Sequence, residues 1–380
     1  MSPLSYKDLH PSYSFDEVAL IPGDTTINPD QVDISFTIGN HTFPLPIIAA
    51  AMDAVVDPDF AIAFNKLGGL AVLNLEGIHS RYADASKKLK TIVNSNQKET
   101  TYLLQEIYSQ PIKENLIGDC IQAIKKEGAI CAVSVTPANT KWLAPIAAEA
   151  GMDILVVQST VTTARHLSKS PRGLHFGELV KIVDVPILVG NCASYTAAME
   201  LMNTGIAGLL IGVGPGAACT TREVLGVGVP QVTATMDCAA ARDDYQRETG
   251  RYVAVITDGG IRRGSDLCKA FAAGADAAML GAILAQASEA PGQGYHWGMA
   301  NPHPTLPRGT RIQVGTRATL EQILLGPTSV TDGTQNLAGA LRTAMGVCAA
   351  SNIQEMHQVG MVVAPSIGTE GKFWQLTYGQ

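Results

Sequence analysis

Eight short apolar runs of β-forming residues recur along the chain, and most of the stretches between them carry helical periodicity. The runs are PIIAAAM ending at Met52, LAVLN ending at Asn74, AICAVSV ending at Val135 and DILVVQS ending at Ser159. They continue with PILVGN ending at Asn191, GLLIGVG ending at Gly214, YVAVITDGG ending at Gly260 and AAMLG ending at Gly281. None alternates apolar with polar residues, so each is expected to be buried on both faces, as strands of an all-parallel sheet are. Eight βα repeats in one chain favour a closed (β/α)8 TIM barrel over a doubly wound sheet.

Amphipathic stretches at Asn139 to Ala150, Tyr195 to Asn203 and Gly264 to Ala273 read as outer helices, the last two stopped by Gly205 and Gly274. The alternation slackens twice. Between about Asn94 and Gly118 the chain reads as polar and irregular, a short linker over 95–118. After the eighth run a Gly/Pro-rich excursion, 291–333, is long enough to be an active-site lid, and a last helix is expected from about Thr334 to Ala349. The whole chain, 1–380, reads as one catalytic domain with a C-terminal tail over 360–380.

Charge narrows the function. The 27 basic and 34 acidic side chains leave a net charge of -7, so neither nucleic acid nor an anionic membrane is an expected partner. No run approaches the ~20 apolar residues of a membrane span, and the N-terminus lacks a signal-peptide layout, so a cytoplasmic protein is expected. The 7 cysteines form no CxxC pair and suggest neither a disulfide framework nor a structural zinc site. Six lie among Ala, Val, Ile and Leu as small buried hydrophobes, and Cys219 is the exception.

Reactive groups of a barrel sit on the loops after its strands. After the sixth run comes Gly212-Val-Gly-Pro-Gly-Ala-Ala-Cys219-Thr-Thr-Arg222. There a helix N-terminus and Arg222 would favour a thiolate, and the plainer alternative is a tight turn around a buried cysteine. After the seventh, Asp258-Gly259-Gly260 sets a carboxylate beside two glycines, and after the eighth comes Leu280-Gly281-Ala282. Either glycine motif alone could be turn chemistry. Together, on the loops where barrels commonly hold a phosphate, they suggest a nucleotide monophosphate site opposite a reactive thiol.

These residues carry a resemblance. The run GVGPGAACTTREVLGVGVPQ, Gly212 to Gln231, resembles the catalytic-cysteine loop of the IMP dehydrogenase/GMP reductase family. FDEVALIPG from Phe15, AAMDAV from Ala50, ITDGGIRRGSD from Ile256 and GADAAMLG from Gly274 support it in order along the chain. The family's regulatory CBS pair would fall at the 95–118 linker, so the chain is most similar to the related subfamily without CBS domains.

The resemblance implies NAD-dependent oxidation of IMP to XMP through a Cys219 thioimidate, with Thr221 beside the nucleophile. It implies substrate contacts at Met52, Gly216, Ala217, Asp258, Gly259, Gly260, Gly281, Ala282, Gly298, Met299 and Ala300, and cofactor contacts at Gln158, Ser159, Thr160, Asn191, Gly212 and Gly214. It also implies a homotetramer or homo-octamer. A potassium ion would sit between subunits near Glu370-Gly371-Lys372, where the family has Glu-Gly-Gly and the Lys372 ammonium could replace the cation. The chain departs from the pattern in several places. Ala217 and Ala282 stand where phosphate-contacting serines are usual, which shifts that contact to backbone amides with Arg262 or Arg263 as candidate charges. Gln158 stands where the dehydrogenases have an acidic residue, and Leu210 where Lys or Arg is common. The Arg-Tyr pair that activates water in the family is missing between Trp297 and Gly333, which leaves Arg308, Arg311, Arg317 and His303 as candidates, Arg308 foremost. A GMP reductase working with NADPH and a catalytically silent nucleotide-binding barrel are the alternative readings.

Overall fold

The structure, a computed structural model, describes residues 9–166, 173–298, 311–372 and 377. Three short strands precede the barrel: β1 (Val18–Leu20), β2 (Phe36–Ile38) and β3 (His41–Phe43). The barrel strands are β4 (Ile47–Ala49), β5 (Leu70–Asn74), β6 (Ala132–Val135), β7 (Ile154–Gln158), β8 (Ile187–Cys192), β9 (Gly208–Ile211), β10 (Ala254–Asp258) and β11 (Ala277–Leu280). All pair in parallel and close in chain order, β11 returning to β4. Each of the eight expected runs supplies one barrel strand, and the closed (β/α)8 fold is as expected.

The helices are α1 (Pro58–Lys66), α2 (Ala85–Asn94), α3 (Gln97–Ser109), α4 (Glu114–Lys126), α5 (Thr140–Glu149), α6 (Phe176–Ile182) and α7 (Tyr195–Met202). They continue with α8 (Thr221–Leu225), α9 (Gln231–Thr249), α10 (Gly264–Ala272), α11 (Leu320–Leu324), α12 (Leu337–Val347) and α13 (Ile353–Met356). Three more strands lie outside the barrel: β12 (Tyr295–His296) pairs with β13 (Ile312–Gln313), and β14 (Met361–Val363) pairs with β1. No helix among the described residues is long and apolar enough to cross a membrane.

Period-two alternation decides what fills the barrel. Ile48, Leu70, Val72, Ala132, Ile154, Val156, Leu188, Leu210, Ile256, Ala277 and Met279 form one buried cluster, the lumen. Leu210 belongs to it with no exposed surface, so a lysine or arginine there would place a charge inside an apolar core. The β2–β3 hairpin adds Phe36, Ile38 and Phe43 to the same cluster, with the Phe36 and Phe43 rings stacked 5.1 Å apart. Their alternate neighbours along each strand face outward into the larger layer shared with the helices.

The stretch expected to be an irregular linker is helical. α2 and α3 form a hairpin in which Leu89, Ile92, Leu104, Ile107 and Tyr108 bury a small core with Ala54, Ile78 and Trp297. The polar look of the segment comes from its solvent face, while those apolar residues recur at helical spacing. The hairpin grips both sides of the excursion after β11. Trp297 Nε1 donates to Tyr108 Oη at 2.8 Å, and the Tyr108 hydroxyl donates to the buried Asp53 carboxylate. Beyond residue 310, Arg311 donates to the carbonyls of Val93 and Ser95 at 3.0 and 2.9 Å and lies over the Tyr295 ring.

One buried ion pair ties α9 to β11. Arg242 is 2% exposed, and its Nη1 donates to the Gly274 carbonyl at 2.7 Å and to Asp276 Oδ2 at 3.2 Å. Asp276 also accepts from the Val255 amide at 2.8 Å and from the Tyr252 hydroxyl. Removing one partner of such a pair strands the other charge in the core. Arg242→Met is expected to lower unfolding free energy by roughly 3–5 kcal/mol in a denaturant titration. A loss below about 1 kcal/mol would show that the pair contributes no more than an exposed one.

Candidate active site

At the upper end of the lumen the same alternation brings polar groups inward. Gln158 follows Val156 by two residues and Asp258 follows Ile256 by two, so both occupy the next inward position at the carboxyl ends of β7 and β10. Asn191 has the wrong parity for this, since its neighbour Leu188 faces in. A register shift between Gly190 and Cys192 in the β8–β9 pairing corrects it. The three side chains meet: Gln158 Nε2 donates to Asn191 Oδ1 at 2.9 Å and to Asp258 Oδ2 at 2.8 Å. Asn191 Nδ2 donates to the same Asp258 oxygen at 2.8 Å. Burial pushes the Asp258 carboxyl up to about 6, while the donors from Asn191 and Gln158 pull it down.

Backbone, not side chains, shapes the rest of the mouth. Gly212 has φ +139°, and a Cβ there would lie 2.5 Å from the Asp258 carbonyl oxygen, so only glycine lets β9 leave the barrel this close to β10. Gly259 and Gly260 are also left-handed, and a Cβ on Gly259 would sit 3.2 Å from the Gly216 amide nitrogen. The loop after β9 therefore packs directly on the loop after β10. Gly281 abuts Met52 in the same way, with Met52 Sδ 2.9 Å from where its Cβ would be. Gly281, Ala282 and Met52 are half-buried, whereas Ala217 is exposed.

Cys219 lies on the loop after β9, just before α8. Its amide donates to the Gly216 carbonyl at 2.9 Å, and its thiol donates to Thr221 Oγ1 at 3.2 Å. Thr221 is buried at the start of α8, a helix of 5 residues. Arg222 does not support the thiol as expected. Its Nε donates to the Val213 carbonyl at 3.2 Å and its Nη2 to the Val229 carbonyl at 2.7 Å, because the loop's own carbonyls need a donor. Burial pushes the Cys120 thiol up to about 11 and those of Cys131 and Cys268 up to about 12, which keeps these three as thiols. Cys120 is half-buried, where a fully buried hydrophobe was expected.

Several expected roles meet other geometry. Arg262 is committed to Asp16 at 2.6 Å and Asp266 at 3.0 Å, and Arg263 lies 3.9 Å from Asp16, so Arg262 has its charge already paired. Arg311 caps the end of α2, and Arg317 lies 3.5 Å from Asp332 on the surface. Ser159 and Thr162 hydroxyls pair at 2.9 Å above β7, and Thr160 and Gly214 are half-buried beside them and in the cysteine loop. Gly298 is half-buried, while Met299, Ala300, His303 and Arg308 lie outside the described residues. Glu370, Gly371 and Lys372 are exposed on the single chain. Among the described residues no group of three His, Cys, Asp or Glu side chains could hold a metal ion.

Sequence reasoning missed Asp53 and Trp297, neighbours of Met52 and Gly298. Asp53 is 2% exposed, and burial holds its carboxyl above the usual range. The signal was the aspartate inside the apolar AAMDAV run, since a buried carboxylate needs donors.

The IMP dehydrogenase / GMP reductase domain family matches residues 12–300. An uncharacterized oxidoreductase of Mycobacterium leprae is 39% identical over 362 residues, covering 93% of this chain and 96% of the relative. An inosine-5'-monophosphate dehydrogenase of Methanocaldococcus jannaschii is 26% identical over 470 residues, 93% of either chain. The crystal structure of an IMP dehydrogenase/GMP reductase-like protein from Corynebacterium glutamicum superposes with a TM-score of 0.90 at 35% identity, over 94% of this chain and 96% of that one. The chain belongs to the IMP dehydrogenase/GMP reductase family.

Proposed function

We propose that the protein is an oxidoreductase that converts IMP to XMP with NAD. The observation that carries this reading is the meeting of three loops at one mouth: Cys219 beside Thr221, the Asp258 carboxylate beside Gly259 and Gly260, and Gly281 against Met52. Bare glycine backbone suits a phosphate, and a carboxylate one residue away suits a ribose diol. A thiolate at Cys219 adds to C2 of the hypoxanthine ring, the C2 hydrogen leaves with its electron pair, and a thioimidate remains on Sγ. The dinucleotide, when bound, takes up that hydride. Water then adds at C2, the C–S bond breaks, and XMP leaves Cys219 as it was. The Thr221 hydroxyl, 3.2 Å from Sγ, holds the nucleophile in place through both steps.

The residues present fit a dinucleotide ribose. Gln158 Oε1 is buried at the mouth with no donor among the described residues, so a ligand hydroxyl would complete its bonding. Cytoplasmic action and a homotetramer or homo-octamer belong to the same proposal. A GMP reductase reading draws support from Arg311 and Arg317, whose structural partners remove two candidates for activating water, a step that ammonia release does not need.

Incubation with IMP and NAD is expected to yield XMP and reduced cofactor, and Cys219→Ala is expected to abolish turnover while retaining IMP affinity. Oxidation of NADPH on adding GMP, with no XMP from IMP, would replace this reading by the reductase. Because the ionised Asp258 is the acceptor, protonation below about pH 6 removes it, so IMP affinity should fall about tenfold between pH 7 and pH 5. The substrate phosphate titrates in the same range, so the comparison is with Asp258→Asn, which should bind less tightly by roughly 1–3 kcal/mol and lose that part of the pH dependence. Identical pH profiles would remove Asp258 from the binding site. Light scattering at micromolar concentration should show four or eight copies, and a monomer would contradict the assembly.

A further inference from the structure

We propose that Gln158 is the positioning residue of this centre, a neutral double donor that fixes the Asp258 carboxylate and leaves its Oδ1 for a ligand hydroxyl. Gln158 is 8% exposed, and both protons of its Nε2 are used, one on Asn191 Oδ1 and one on Asp258 Oδ2. The amide can sit only one way round. Turned over, Oε1 would face two acceptors, the Asn191 carbonyl oxygen and the Asp258 carboxylate, and both donors would be lost. Asn191 adds its own donor to the same carboxylate oxygen. Oδ2 therefore takes two hydrogen bonds, and among the described residues Oδ1 takes none.

Among the described residues, the surrounding elements supply no compensating charge. Beyond β9, Arg222 is turned to the carbonyls of Val213 and Val229, and the Cys219 thiol lies on Thr221. Beyond β10, Arg262 is paired with Asp16 and Asp266. Among the described residues, what opposes the burial of Asp258 is the pair of amide donors from Asn191 and Gln158. A glutamate at position 158 would set a second carboxylate against Oδ2 at the present 2.8 Å, and one of the two would have to keep a proton. The neutral side chain in this chain avoids that competition. The occupant of Oδ1 as a ribose hydroxyl rests on the function proposed above; the hold on Asp258 does not.

The test follows the carboxyl by infrared difference spectroscopy between pH 4 and pH 9 on the ligand-free protein, with Asp258→Asn identifying its band. In the parent protein the protonated carboxyl band is expected to disappear near pH 6. Gln158→Met, of similar shape and without a donor, should move that transition upward by about one pH unit. Gln158→Glu should retain one proton on the pair through neutral pH, and it serves if the methionine variant fails to fold. In both variants the pH below which IMP binds weakly should rise together with the carboxyl transition. A transition that stays where it is in the folded variants would overturn the proposal. A shifted transition with no nucleotide binding in any form would keep the role of Gln158 and overturn the nucleotide reading.

Discussion

A closed eight-stranded barrel has a single lumen, and alternate residues of every strand must enter it. That constraint organises the molecule. Apolar side chains fill the lower layers of the lumen, and the β2–β3 hairpin brings Phe36, Ile38 and Phe43 into the same cluster. Only the last inward positions, at the carboxyl ends of the strands, can be polar without stranding a group in the core. Gln158 and Asp258 occupy two of those positions by parity alone, and their mutual hydrogen bond follows from the closure.

Two local adjustments complete the site. The register shift on β8 turns Asn191 inward, and the glycines at 212, 259 and 260 allow the loops after β9 and β10 to touch. Without the first, Asp258 would lose one of its two donors. Without the second, Pro215 and Gly216 could not lie against Gly259, and the cysteine loop would stand off from the carboxylate. The opposite demand, stability, is met elsewhere. Arg242 with Asp276 ties α9 to the amino-terminal side of β11, and the α2–α3 hairpin holds Trp297 and Arg311 through Tyr108 and the end of α2.

The eight strands were legible because each is a predominantly apolar run of β-forming residues without period-two alternation, a pattern that depends on near neighbours only. The loop from Gly212 to Arg222 was legible for the same reason. Asn191 facing Asp258 was not, since a register shift arises between strands and leaves no mark in one of them. The direction of Arg222 depends on which carbonyls its own loop leaves unpaired, and the ties of Arg262 to Asp16 join residues 246 positions apart. The helix α3 was hidden by its solvent face, although Leu104, Ile107 and Tyr108 carried its core-facing stripe.

The central claim is that one nucleotide can touch the thiol, the carboxylate and the glycine backbone at once. A crystal structure of the Cys219→Ala variant with IMP tests it most directly. The account requires purine C2 to face the position of Sγ, the ribose hydroxyls to donate to Asp258, and the phosphate to lie on the amides of Gly259, Gly260 and Gly281. A nucleotide bound away from the barrel mouth, or one whose ribose leaves Asp258 bonded only to Gln158 and Asn191, would contradict it.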